Sequence, residues 1–189
     1  MLGPRARAFQ AVVDSTQTTD RAGGKLDVEK TIAGLVVRLR EMRGAKNSLF
    51  LAGNGGSAAV AAHGVTDFVN VARLRAMTLH DSSLLTCMAN DYGYENAFGR
   101  ILSILAQRGD ALILISSSGK SANVCNAAER MTEIGGTVIT LSGFAPDNSL
   151  RSLGDINIWL DSQDYGMVEI GHQFILHNIS DRFLPHKKQ

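Results

Sequence analysis

Four hydroxyls fall within six residues at Ser116, Ser117, Ser118 and Ser121, directly after the apolar run from Ala111 to Ile115. A small-residue turn between a buried strand and a helix N-terminus aims side-chain O–H and backbone N–H groups at one spot. The helix dipole adds about half a positive charge there, so the spot favours a phosphate. The spacing is not that of a P-loop, because GxxxxGK[ST] is absent. A second turn of the same kind is Gly53-Asn54-Gly55-Gly56-Ser57, between the apolar Leu49–Ala52 and the Ala-rich run 58–62. Its glycines supply the positive φ that a tight turn needs. Ser and Gly are common in ordinary strand-to-helix turns, so either turn alone is weak evidence. Two such turns ending in serines could form two lobes of one anion site.

These turns need a scaffold. Short apolar runs at 49–52, 74–79, 111–115, 137–141 and 156–160 read as strands, the central ones buried on both faces. Between them lie helical patterns: Ala58 onward, a start at Asp81-Ser82-Ser83, Phe98–Leu105, residues 121–133 capped at Ser121, and a closing helix from Tyr165 to Leu184 ended by Pro185. Asn90–Tyr94 reads as a loop. Strands alternating with helices predict an α/β fold with a parallel sheet flanked by helices. Ahead of it, a first helix around Phe9, Val12 and Val13 runs into the polar stretch 15–20 and the Gly23-Gly24 break. A second helix starting near Asp27 carries Ile32, Leu35, Val36 and Leu39 on one face. The chain is therefore expected to be one domain, with a helical segment at 1–46 and an α/β core at 47–184. The two N-terminal helices would pack on the sheet or on a second subunit.

The 189 residues suffice for a real core, and a net charge of +1 with no basic stripe argues against nucleic-acid binding. Only the tail at 186–188 is locally basic. Cys87 and Cys125 lack a CxxC spacing and read as reduced, buried thiols, and no apolar run has the length of a membrane span. Without a secretory leader pattern, a cytoplasmic location is the expectation.

Three segments together carry a family resemblance: Gly53–Ser57, Asn90-Asp91-Tyr92-Gly93, and Ile115 to Val124. They resemble the signatures of the sugar isomerase (SIS) fold, and more narrowly of phosphoheptose isomerases, over about residues 30 to 184. Those enzymes interconvert sedoheptulose 7-phosphate and glycero-manno-heptose 7-phosphate. The resemblance implies a five-stranded parallel sheet, a homotetramer with active sites at subunit interfaces, and a zinc ion. It implies phosphate contacts at Ser116, Ser117, Ser118 and Ser121, and sugar contacts at Gly53, Asn54, Gly55, Ser57, Asn90 and Asp91. The family's catalytic carboxylate, four residues after a histidine, falls on Asp67 after His63, with Asp in place of Glu. Its C-terminal Gln and His fall on Glu169 and His177, with Glu in place of Gln and a further matching histidine at 172.

His63 and Asp67 at i and i+4 share a helical face, the spacing that a metal pair or a base with its partner needs. The same spacing also occurs on any solvated helix, and the neighbouring glycine turn favours function. Glu169 and His177 lie eight residues apart, roughly 12 Å of helix rise, so only long side chains could converge. Aldose–ketose isomerisation needs a base for the proton beside the carbonyl and an acid for the oxygens. Asp67 and His177 are the expected pair, with Asp67 and Glu169 also meeting substrate. His63, Asp67, Glu169 and His177 are the expected zinc ligands. The alternatives are an isomerase of another phosphosugar, or a non-catalytic SIS module that binds a sugar phosphate or a protein. Carboxylates and histidines at the matched positions favour catalysis.

Overall fold

The computed structural model describes residues 1–184. Pro185 and the basic tail at 186–188 lie outside the described residues. Among the described residues seven strands form one sheet: β1 (Gln17–Thr19), β2 (Lys25–Leu26), β3 (Ser48–Gly53), β4 (Arg75–Thr78), β5 (Ala111–Ser116), β6 (Thr137–Ser142) and β7 (Ile156–Trp159), in the order β2-β1-β7-β6-β5-β3-β4. The five strands from β7 to β4 are mutually parallel, as the alternation of elements predicts. The β1–β2 hairpin extends this sheet antiparallel along β7, and its place was expected to be a polar break between two helices. Its threonines suit a pleated backbone. Thr18 is buried there and donates its hydroxyl to Leu26 O at 2.9 Å.

Helices cover both faces: α1 (Leu2–Asp14), α2 (Val28–Gly44), α3 (Gly56–Asn70), α4 (Ser82–Tyr92), α5 (Tyr94–Leu105), α6 (Ala122–Ile134) and α7 (Tyr165–Asp181). The period of two in a strand splits the core. Leu49, Leu51, Ile113 and Ile115 join α2, α3 and α7 on one side through Leu35, Leu39, Phe68 and Leu176. Phe50, Ala52, Leu112 and Leu114 join α5 and α6 on the other through Phe98, Leu102, Val124 and Met131. This two-sided burial is why β3 and β5 read as unbroken apolar runs. Asp27 caps α2 as expected, its carboxylate accepting from Lys30 N–H at 2.8 Å. Helices α1 and α4 bury none of their residues, unlike the other five.

Three further expectations change. Asn90, Asp91 and Tyr92 are the last turn of α4 rather than a loop, because Gly93, at φ +82°, makes the whole break before α5. Cys87 is exposed and Cys125 half-buried, so neither is a core thiol. His172 is fully buried. Its Nε2–H donates to Ser142 O at 3.1 Å, and burial pulls its pKa down to about 4, so it is a neutral core histidine.

Candidate active site

Parallel strands place the start of each following helix along one sheet edge, so the turns after β3 and β5 lie side by side. Gly53 pairs with Ile115 in the sheet, and a Cβ on Gly53 would come within 2.7 Å of Ile115 O. Gly55 follows at φ +54°, and α3 opens at Gly56. In the second turn Gly119 sits at φ +63° with the Asn148 carboxamide where its side chain would be. The Gly119 N–H donates to Ser116 Oγ at 3.2 Å, and Ser116 Oγ lies 3.4 Å from Ser121 Oγ. Ser121 holds the N-cap position of α6 but makes no capping bond with its side chain. Ser117 Oγ is buried without a partner among the described residues, which leaves it free to bond a ligand in the turn.

The two turns enclose a pocket of about 260 Å³. Asn54, Gly55, Gly56 and Ser57 form one wall, and Ser116, Ser117, Ser118 and Ser121 the other, with Tyr165 and Glu169 from α7. Glu169 lies directly over Gly56, whose missing side chain makes room for the carboxylate. Asn90 and Asp91 do not line this pocket. They stand exposed on α4, Asn90 Nδ2 donating to Asp91 Oδ1 at 2.9 Å.

A second cluster lies along the same two helices. Gly64 lets α3 pack tightly on α7, since a Cβ there would come within 2.9 Å of Leu176 Cδ1. That contact brings His63 and Asp67 of α3 against His177 of α7. Asp67 Oδ2 is 3.1 Å from His177 Nδ1 and 3.6 Å from His63 Nε2, and the two Nε2 atoms are 3.2 Å apart. Glu169 is not a member of this cluster, which corrects the four-ligand set. Eight residues of α7 carry it toward the glycine turn instead.

The cluster's donor set fits a divalent cation. One atom each from His63, Asp67 and His177 lies within 4.8 Å of the others. Asp67 Oδ2 is buried and accepts no hydrogen bond despite the nearby ring nitrogen. Two imidazoles and a carboxylate with converging lone pairs are what a zinc site with an open position uses.

Sequence reasoning missed the residues that hold the glycine turn. His80, just past β4, accepts the Gly53 N–H at Nε2, 3.3 Å away, and its ring lies 5.7 Å from Phe98. Burial lowers its pKa, which favours the neutral ring that this bond needs. Asn123 and Tyr94 both bond Asn54. The available signal was Asn123, a polar residue four before Ala127 on the buried stripe of α6.

A parallel sheet with two adjoining glycine- and serine-bearing turns, and a carboxylate–histidine cluster on the helices flanking one of them, is an arrangement of the SIS class. The SIS domain model matches residues 18–143. A phosphoheptose isomerase of Trichlorobacter lovleyi is 38% identical over 165 residues, covering 83% of this chain and 84% of the relative. The structure of a phosphoheptose isomerase from Neisseria gonorrhoeae superposes with a TM-score of 0.74 at 26% identity, covering 97% of this chain and 98% of that one. One from Francisella tularensis gives a TM-score of 0.74 at 25% identity, covering 80% and 84%. The chain belongs to the phosphoheptose isomerase family of SIS-domain proteins.

Proposed function

We propose that this chain interconverts sedoheptulose 7-phosphate and D-glycero-D-manno-heptose 7-phosphate by proton transfer through an enediolate, supplying heptose for glycoconjugate synthesis. The observation that carries this reading is the arrangement along α3. Its N-terminus closes the anion pocket, and His63 follows seven residues later, about 10 Å along the axis. A substrate whose phosphate sits in the serine turn needs a chain of several carbons to bring its carbonyl to the cluster. A heptose phosphate meets that requirement.

In this reading Ser116, Ser117, Ser118 and Ser121, with the α6 N-terminus, bind the phosphate. The glycine turn and Glu169 meet the sugar hydroxyls. Asp67 takes the proton beside the carbonyl through Oδ1, since the cluster contacts all fall on Oδ2. His177 moves protons to and from the oxygens. His63, Asp67 and His177 would hold one zinc ion. When bound it would polarise the substrate oxygens and stabilise their negative charge. Elemental analysis of protein purified without chelators should find near one equivalent per chain, and less than a tenth with activity intact would remove the ion.

The working unit is proposed to be a cytoplasmic homotetramer. Helix α1 buries none of its residues and leaves Leu2 exposed, while Phe174 and Ile170 are exposed on α7 beside it. A second copy would cover such surface. No helix among the described residues is long and apolar enough to cross a membrane.

The test is a coupled assay of sedoheptulose 7-phosphate beside fructose 6-phosphate and ribulose 5-phosphate. Preferred turnover of the heptulose is expected. Faster turnover of either shorter sugar would replace the substrate, and no turnover of any would leave a binding module.

A further inference from the structure

The side chain of Asn54, expected as a sugar contact, is already occupied. Its Oδ1 accepts from the Tyr94 hydroxyl at 2.7 Å and from Asn123 Nδ2 at 3.0 Å, and its Nδ2 donates to Asn123 Oδ1 at 2.9 Å. A carboxamide oxygen has two lone pairs, and both are used; of the amide's two N–H groups one remains. Asn123 is only 3% exposed, so its amide must keep these bonds or be buried unpaired. The reciprocal pair also spans two different turns. Asn54 belongs to the glycine turn after β3, and Asn123 lies two residues past Ser121 at the start of the helix that follows the serine turn. Tyr94, the first residue of α5, ties a third element to the same atom.

From this we infer that Asn123 and Tyr94 are positioning residues of the isomerase site, and that Asn54 acts through them rather than by gripping the sugar. They set the distance between the lobe that holds phosphate and the lobe that faces the sugar. The inference rests on the isomerase reading above. The substrate-facing donors of the glycine turn are then the N–H groups of Gly55, Gly56 and Ser57, which the first turn of α3 leaves without intrahelical partners. Those groups point usefully only while the turn keeps its shape. His80 pins its start through the Gly53 N–H, and the Asn54–Asn123 pair pins its middle. A misplacement of about 1 Å between phosphate and reacting carbon can cost about 10²-fold in rate.

The experiment compares Asn123→Ala, Asn54→Ala and Tyr94→Phe in the full chain. It reads kcat/KM for sedoheptulose 7-phosphate, competitive inhibition by inorganic phosphate, and hydrogen exchange of the Gly53–Ser57 turn. Asn123→Ala should lower kcat/KM by about tenfold to a hundredfold. Inhibition by phosphate should stay essentially unchanged, because the serine turn is intact. Asn54→Ala should cost no more than Asn123→Ala, and exchange at Gly55 and Gly56 should quicken in both. Tyr94→Phe removes one hydroxyl from a side chain that is 48% exposed, so it leaves folding untouched and should shift the same quantities in the same sense by a few-fold. A far larger loss in Asn54→Ala than in Asn123→Ala would make Asn54 a sugar contact and overturn the proposal. Unchanged turnover and exchange in both Asn123→Ala and Tyr94→Phe would also overturn it. Should Asn123→Ala fail to fold, Tyr94→Phe decides by the same readouts. A wild-type chain that does not turn over the heptulose refutes the isomerase reading instead, and the exchange of the turn still judges the pair.

Discussion

The two ends of the site are built in different ways. The anion pocket is assembled by short-range means: two strands end, glycines at φ +54° and φ +63° turn the chain, and helix N-termini follow within a few residues. The His63–Asp67–His177 cluster depends on one long-range contact, the packing of α3 on α7 at Gly64 and Leu176. Each wall of the pocket is therefore set locally and tuned by hydroxyls, while the spacing of the two walls rests on the Asn54–Asn123 pair. The cluster is sensitive to anything that shifts one helix against the other. Binding and chemistry should consequently be separable by mutation.

Asp67→Asn should separate them most. It keeps the shape of the cluster and removes the base, so isomerisation and exchange of the carbon-bound proton with deuterated solvent should fall by about 10²–10⁴-fold. Inhibition by inorganic phosphate should persist. Wild-type solvent exchange in this variant would move the base to His177 within the cluster, or to Glu169 and with it the chemistry into the pocket.

Acid should loosen α7, the helix that both ends share. His172 has a pKa of about 4 in the fold, below the unfolded value near 6.5, because burial disfavours its charged form. Between those values the unfolded chain takes up a proton that the native chain refuses, so stability is full above about pH 6.5 and drains as pH falls toward 4. The loss is about 3 kcal/mol. Denaturant unfolding at pH 7 and pH 4.5 measures it. His172→Gln, which keeps a donor for Ser142 O and does not titrate, should flatten the slope, and an unchanged slope would place the acid sensitivity elsewhere.

Ser116→Ala combined with Ser118→Ala attacks the pocket alone. Hydrogen bonds to a charged group contribute about 1.5–3 kcal/mol each, so losing two should raise KM by about two to four orders of magnitude with little change in kcat or melting temperature. An unchanged KM would remove the phosphate from this turn.

The smallest effect is expected from Asp67→Glu, which sharpens the account of the cluster. Asp67 Oδ2 already stands 3.1 Å from His177 Nδ1, so a longer side chain must fold back to fit. Turnover should drop, but by no more than about tenfold, since the added torsion lets the carboxylate recover most of its position. Equal or faster turnover would mean that the site tolerates aspartate rather than being shaped around it.

Much of the pocket was legible because its causes are local. A buried strand, a glycine turn and a serine at a helix start are neighbours in the chain, so β3, β5 and the turns after them followed from residue types. The β1–β2 hairpin was not legible. Three residues of polar strand show no alternation, and only pairing with Trp159 and Ile158 of β7 makes Gln17–Thr19 extended. The last turn of α4 was misread for a related reason. Asn, Asp and Gly within four residues favour a loop, but here only Gly93 breaks the helix. Glu169 was grouped with His177 because both match the family's C-terminal pattern, and the rise of the helix they share sends them to opposite ends of the site.

What the amino-acid order determined by itself was the periodicity of each element and the position of each turn: five parallel strands, the helices between them, and two hydroxyl-bearing turns on one sheet edge. Those properties arise from interactions within a few residues, where side-chain spacing and backbone preference suffice. Only the tertiary structure decided which distant side chains meet. His80 under Gly53, Asn123 against Asn54, His63 and Asp67 against His177, and His172 inside the core rather than in the site all depend on how helices cross the sheet and each other. A side chain's partner across such a crossing is set by packing distance and direction, and neither is encoded by its neighbours in the chain.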